Sequence, residues 1–237
     1  MTALAGILAA RIAAAGPMSL ADYMAECLLH PRHGYYTTRP PFGAEGDFIT
    51  APEISQMFGE LLGLCLAQAW LDQGAPARFT LAELGPGRGT LMADVLRATR
   101  GVPGFHAAAR VVLVEASPRL RQVQRATLGT HPAEWVDGAD SLPDAPLFLI
   151  ANEFFDALPI RQFTRVGDGW SETMVGLEGT RLTLGRAPPA PLALLSHRLA
   201  DTREGDVVEI CPAAGQVMAD ISARIATHGG LALVVDY

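Results

Sequence analysis

The strongest chemical signal in the chain is the run Glu83-Leu84-Gly85-Pro86-Gly87-Arg88-Gly89-Thr90. It joins a short apolar stretch, Phe79 to Leu84, to a helical pattern that starts at Thr90. Gly85 and Gly87 permit a tight turn and let a ligand come close to the backbone. The start of the helix offers free N–H groups and the positive end of its dipole. The spacing is GxGxG, not the GxGxxG of dinucleotide sites. A second acid, Glu115, ends the next apolar stretch, Arg110 to Glu115, 26 residues after Gly89. A carboxylate there can accept hydrogen bonds from both hydroxyls of a ribose. The plain alternative is a glycine turn that only links strand to helix. The two acids at successive strand ends weigh against it.

Other acids cluster around the same kind of position. Asn152, Glu153 and Asp156 follow the apolar stretch Pro146 to Ala151. In an open α/β sheet, ligands bind outside the carboxyl ends of strands, so Glu153 and Asp156 either meet a ligand or cap the next turn. Asp137 is either a ligand group after a third strand or a turn aspartate before Gly138. Glu53 either completes a capping box with Thr50 or faces a ligand, whereas Asp47 has no such local duty. The six histidines and the scattered Cys27, Cys65 and Cys211 show no metal spacing, so no metal site is expected.

The elements that must position these residues alternate from Phe79 onward. Phe79–Leu84, Arg110–Glu115, Ala133–Val136, Pro146–Ala151 and Leu231–Tyr237 read as strands. Thr90–Arg97, a segment opened by Ser117-Pro118, and Ala213–Thr227 read as helices. That rhythm predicts an α/β fold with a parallel sheet. Ile160 to Leu184 breaks it with alternating residues and glycine turns, which predicts an inserted β-hairpin or meander. Before residue 78 the patterns are helical. Leu4, Ile7, Leu8 and Ile12 share a face, and Ser19 with Asp22 resembles a capping box. Ile54, Met57, Phe58, Leu61, Leu62 and Cys65 form a candidate buried stripe. The expected organisation is an N-terminal helical cap over 1–77 and an α/β core over 78–237, with the β insertion at about 160–186. Ending on a strand predicts an exposed edge, met either by further residues in the natural protein or by self-pairing as a homodimer.

Composition sets the outer limits. Of 237 residues, 49% are hydrophobic and 18% charged, enough to bury a core. The net charge of −7 argues against non-specific nucleic-acid binding. All 18 basic residues are arginine, which excludes lysine Schiff-base chemistry and the P-loop lysine. No apolar run reaches the roughly 18 residues of a membrane span. The N-terminus lacks a secretory pattern, and the scattered cysteines fit a reducing compartment, so a cytoplasmic protein is expected.

Five strings together resemble the MidA family of class I S-adenosylmethionine (SAM) methyltransferases: His33-Gly34-Tyr35-Tyr36, Gly46 to Glu60 (GDFITAPEISQMFGE), Glu83 to Thr90, Asn152 to Pro159 (NEFFDALP), and Glu209 to Pro212. The resemblance implies a Rossmann-like methyltransferase sheet with SAM as cofactor. Glu83, Gly85, Gly87, Gly89 and Thr90 would face its methionine end, Glu115 its ribose and Asp137 the adenine edge, with Asp47 a further cofactor contact. It also implies transfer to an arginine of a protein substrate, a respiratory complex I subunit in the mitochondrial member, whose compartment is the matrix. Glu153 and Asp156 would then clamp the guanidinium, with Asn152 orienting cofactor or substrate. A non-catalytic SAM-binding assembly factor and a nicotinamide-dependent oxidoreductase are the competing readings, the second disfavoured by the glycine spacing.

Overall fold

A computed structural model describes residues 2–38 and 50–237. The elements in chain order are α1 (Ala3–Ala15), β1 (Met18–Ser19), α2 (Leu20–Leu29), α3 (Tyr35–Thr38), α4 (Ala51–Ile54), α5 (Gln56–Asp72), β2 (Phe79–Leu84), α6 (Thr90–Ala98), α7 (Phe105–Ala108), β3 (Ala109–Val114), α8 (Pro118–Leu128), β4 (Glu134–Val136) and β5 (Leu147–Asn152). They continue with β6 (Arg161–Val166), β7 (Gly169–Glu178), β8 (Arg181–Arg186), β9 (Val207–Ile210), α9 (Pro212–His228) and β10 (Gly230–Val235). By their contacts they form two compact units, residues 1–38 with 158–213, and residues 39–157 with 214–237.

The first unit is built on an antiparallel sheet. β7 pairs with β1, β6 and β8, and β6 pairs with β9. The expected meander is therefore present, and it recruits Met18–Ser19, two residues too short to carry a strand pattern of their own. Leu8, Ile12, Met18 and Val175 are buried together. The Ser19 hydroxyl accepts the Asp22 N–H at 3.0 Å, as the capping spacing predicts.

The second unit holds a parallel sheet in the order β10-β5-β2-β3-β4. Its strands are continuous apolar runs because both faces are covered. On one face Phe79, Leu81, Val111, Leu113, Phe148 and Ile150 pack with residues of α5 and α6. On the other, Ala82, Leu84, Val112 and Leu149 pack with Ile221 of α9. With all five strands parallel, their carboxyl ends share one edge. The strand order reverses between β2 and β5, which opens a crevice at that edge.

α5 corrects one sequence expectation. Ile54, Met57, Leu61 and Cys65 are exposed, while Gly59, Gly63, Leu66, Ala67 and Trp70 are buried. Phe58 and Leu62 are partly buried against the core. Both faces of this helix are apolar, so periodicity alone cannot choose between them. Close approach to α6 decides it. A Cβ on Gly63 would lie 2.8 Å from Val95 Cα, and one on Gly59 would lie 2.7 Å from Asp94 Cβ.

Candidate functional site

The loop after β2 is shaped by glycines with positive φ: Gly85 at 59°, Gly87 at 53° and Gly89 at 83°. At Gly85 a Cβ would also stand 2.9 Å from the Phe154 ring, so only glycine fits there. The Gly85 N–H donates to the Val114 carbonyl at 3.0 Å, and the Gly89 N–H to the Pro86 carbonyl at 2.7 Å. Gly89 is the N-cap of α6, so the loop ends where that helix begins.

The cleft beside this loop is lined by Thr50, Pro52, Glu53, Glu83, Gly85, Pro86, Gly87, Arg88, Thr90, Leu91, Asn152 and Glu153. It lies at the crevice between β2 and β5. Of the candidate site residues singled out in the sequence, it brings together Glu53, Glu83, Gly85, Gly87, Thr90, Asn152 and Glu153. Gly89, Glu115, Asp137 and Asp156 are not among its lining residues, and Asp47 lies outside the described residues.

Glu83 points to the same face as Phe79 and Leu81 through strand alternation, and only 3% of it is exposed. Its Oε2 has no hydrogen-bond partner among the described residues, nor has Asn152 Oδ1. Burial pushes the Glu83 carboxyl up to about 8, against the Met92 backbone N–H, which pulls it down; the charge of Glu115 adds to the rise. At neutral pH the side chain therefore carries a proton for much of the time, and a cation bound beside Oε2 would displace that proton and restore the carboxylate.

Glu153 holds a strained backbone, with φ of 50°. Its N–H donates to the Val235 carbonyl at 2.9 Å. Its Oε1 accepts the Tyr237 N–H at 2.9 Å. These bonds join the ends of β5 and β10 and hold the carboxylate at the rim of the cleft. Asp156 is exposed on the turn that follows.

Glu115 sits at the end of β3 and is largely buried. Its Oε1 accepts the Ser117 N–H at 2.8 Å and its Oε2 accepts the Gln124 amide at 3.0 Å. Burial raises its carboxyl above the ordinary range, against those two donors. Arg121 spans the neighbouring strand ends. Its Nε donates to the Glu115 carbonyl at 2.7 Å and its Nη2 to Asp137 at 2.5 Å. The Asp137 side chain is otherwise in solvent.

Three residues that sequence reasoning passed over or left open complete the site. Of the two readings open for Glu53, the capping box with Thr50 is not formed: the Thr50 side chain makes no cap hydrogen bond. The Glu53 carboxylate instead accepts the Thr90 hydroxyl at 2.7 Å and Arg88 Nη1 at 3.3 Å. A short helix whose acid is drawn to a cationic loop has no reason to spend it on its own N-terminus. Arg88 stood in plain sight inside the glycine run. Gln124 is fully buried on α8; its amide donates to the Gly87 carbonyl at 2.9 Å and its oxygen accepts the Trp135 indole N–H at 2.8 Å. Its signal was a polar residue on the apolar stripe Leu120, Gln124, Leu128.

Residues 61–237 match the model of the family described as "Putative S-adenosyl-L-methionine-dependent methyltransferase". The chain belongs to that family. Among curated relatives it is 38% identical over 254 residues to the protein arginine methyltransferase NDUFAF7, mitochondrial, of Bos taurus, covering 96% of this chain and 57% of that protein. It is 39% identical over 259 residues to the protein of the same name in Danio rerio, covering 97% of this chain and 60% of that one. The chain thus spans less than two thirds of the length of these relatives. A Burkholderia thailandensis crystal structure bound to S-adenosyl-homocysteine superposes with a TM-score of 0.84 at 32% identity, covering 99% of this chain and 62% of that one. The methyltransferase-family resemblance drawn from the five sequence strings is borne out, as is the Rossmann-like sheet expected for this family. No helix among the described residues is long and apolar enough to cross a membrane.

Proposed function

We propose that the chain binds SAM in the cleft beside the glycine loop and transfers its methyl group to an arginine of a protein substrate. The observation that carries the reading is the pair of buried acceptors without donors, Glu83 Oε2 and Asn152 Oδ1, at the crevice between β2 and β5. An ammonium-bearing ligand supplies the missing donors, and Gly85 leaves the backbone bare for close approach. The residues therefore fit this cofactor. Glu83, Gly85, Gly87, Gly89 and Thr90 would hold its methionine end, Glu115 its ribose and Asp137 the adenine edge, with Asp47 a further contact. The names of the mitochondrial arginine methyltransferases support the choice of acceptor.

When bound, the cofactor supplies a methyl group activated on a sulfonium. The chain's own task is to align an acceptor and remove its proton. Glu153 at the cleft and Asp156 on the following turn would hold a guanidinium by charge-assisted hydrogen bonds. Asn152 would orient what lies between. Glu153 Oε2, whose partner oxygen Oε1 is held by Tyr237, would take the proton from the attacked nitrogen. The substrate is in this reading a protein, a respiratory complex subunit where the setting is mitochondrial, and the compartment is the bacterial cytoplasm or the mitochondrial matrix.

The test is incubation of the protein with methyl-labelled SAM and a protein extract, followed by amino-acid analysis. Labelled methylarginine is expected, lost in Glu153→Gln while that variant still binds S-adenosylhomocysteine. A wild type that binds S-adenosylhomocysteine but labels no arginine would overturn the arginine assignment.

A further inference from the structure

We propose that the outer edge of β8 takes up an extended segment of a partner protein, acidic at both ends, and adds it to the antiparallel sheet as a further strand. β8 pairs with β7 alone among the described strands. The Ala187 N–H donates to the Glu172 carbonyl at 2.8 Å, one step beyond the β7–β8 register, which fixes the phase of the ladder. Along an antiparallel strand, residues that bond to the neighbour alternate with residues that face away from it. Gly185, Thr183 and Arg181 therefore turn their backbone groups to β7, as Ala187 does. Arg186, Leu184 and Leu182 turn theirs outward, and these groups have no hydrogen-bond partner among the described residues. Three N–H and three C=O groups at a period of two are a template for another strand.

The edge has a firm base and a distinct chemistry. Leu182 packs against the buried cluster of Leu8, Ile12, Met18 and Val175. Leu184 stands opposite the buried Val175, yet is itself 68% exposed. Arg181 and Arg186 close the two ends of the strand, both exposed. Glu178 lies opposite Arg181 on β7, but neither arginine enters an ion pair among the described residues. β8 reads Arg-Leu-Thr-Leu-Gly-Arg and contains no acid. A second copy suits this edge poorly. Two β8 strands paired antiparallel about Leu184 would crowd the arginines of one against those of the other at each end, with no acid on either strand to offset them. An incoming strand with a carboxylate at each end meets both guanidiniums, while its backbone meets the open row of donors and acceptors.

The probe is a blocked six-residue peptide of alternating valine and threonine with a glutamate at each end, titrated calorimetrically beside its lysine-ended and N-methylated counterparts. Wild type is expected to bind the glutamate-ended peptide about tenfold more tightly than the lysine-ended one, and the N-methylated peptide not at all. The double variant Arg181→Glu with Arg186→Glu should reverse the order of the first two. Leu184→Pro removes an outward N–H and leaves the β7 ladder intact, so it should weaken the glutamate-ended peptide at least as much, with unchanged thermal melting. Wild type that binds neither peptide, or both alike, overturns the proposal and leaves the arginines as guards of the edge. Binding that survives N-methylation of the peptide overturns it too, whether or not Leu184→Pro folds. A wild type that sediments as a dimer, where Leu184→Pro sediments as a monomer, assigns the edge to a second copy instead and overturns the acidic partner.

Discussion

The side-chain amide of Gln124 reaches the Glu115 carboxylate at 3.0 Å, and the same nitrogen holds the Gly87 carbonyl at 2.9 Å. One buried amide thus ties the acid at the end of β3 to the turn after β2. Its oxygen is satisfied by Trp135, so both ends of the group are in use. Gln124→Leu nearly keeps the volume and removes all three hydrogen bonds. It strands an indole N–H, a carbonyl and a carboxylate oxygen at once. The expected loss is about 3 kcal/mol of unfolding free energy, read by urea titration, with weaker S-adenosylhomocysteine binding alongside. A variant as stable as the wild type would mean that solvent fills these roles.

Glu83 makes stability depend on pH. Its carboxyl titrates at about 8 in the folded chain against an ordinary value of 4.5. The folded state therefore binds the proton more tightly than the unfolded state. Its contribution is full below pH 4.5 and is lost as the pH rises through 8, with a slope of up to about 1.4 kcal/mol per pH unit. Glu83→Gln removes this ionisation. The gap between variant and wild type should swing in favour of the glutamine as the pH goes from 5 to 9. A constant gap across that range would show that Glu83 is already ionised in the folded chain.

The seam between α5 and α6 predicts a cost at Gly63. Gly63→Ala must push a methyl against the Val95 backbone, where the ideal contact is 2.8 Å. Overpacking of this kind costs about 1 to 3 kcal/mol. Gly6→Ala, on α1 with nothing within 4 Å, is the control and should be neutral or slightly stabilising. Equal melting temperatures for the two variants would show that the helices part at no cost.

Gly85→Ala tests the loop itself. The substitution meets a positive φ and the Phe154 ring together. Binding of S-adenosylhomocysteine should fall by more than tenfold, because the loop must shift to admit the methyl. Far-ultraviolet circular dichroism should stay unchanged, since Gly85 lies outside the regular elements. Retained affinity would place the ligand away from this turn.

Much of this was legible in the sequence where one physical cause dominates. The strands from Phe79 onward announced themselves as apolar runs because a parallel sheet is covered on both faces. Gly85 and Gly87 announced a turn because few other residues take their φ. The α5 stripe did not read correctly, because a helix with leucines on both sides gives no phase, and the decisive residues, Gly59 and Gly63, are marked by what they lack. Glu53 was ambiguous for another reason. Its local spacing suits a cap, and only the fold brings Thr90 and Arg88, more than thirty residues away, within its reach. The link from Gln124 to Glu115 was hidden because a glutamine on a helix is ordinarily a solvent-facing residue.

The bond from the Tyr237 amide to Glu153 carries one more consequence. That amide proton is donated to Glu153 Oε1, and the bond slows its exchange. Any cation that draws the carboxylate toward itself competes directly with that bond. Deuterium uptake at this single position would then rise on addition of an arginine-containing peptide and stay level with a lysine-free, arginine-free one. Such a rise would make the Tyr237 amide an isotope-readable gauge of what the Glu153 carboxylate holds.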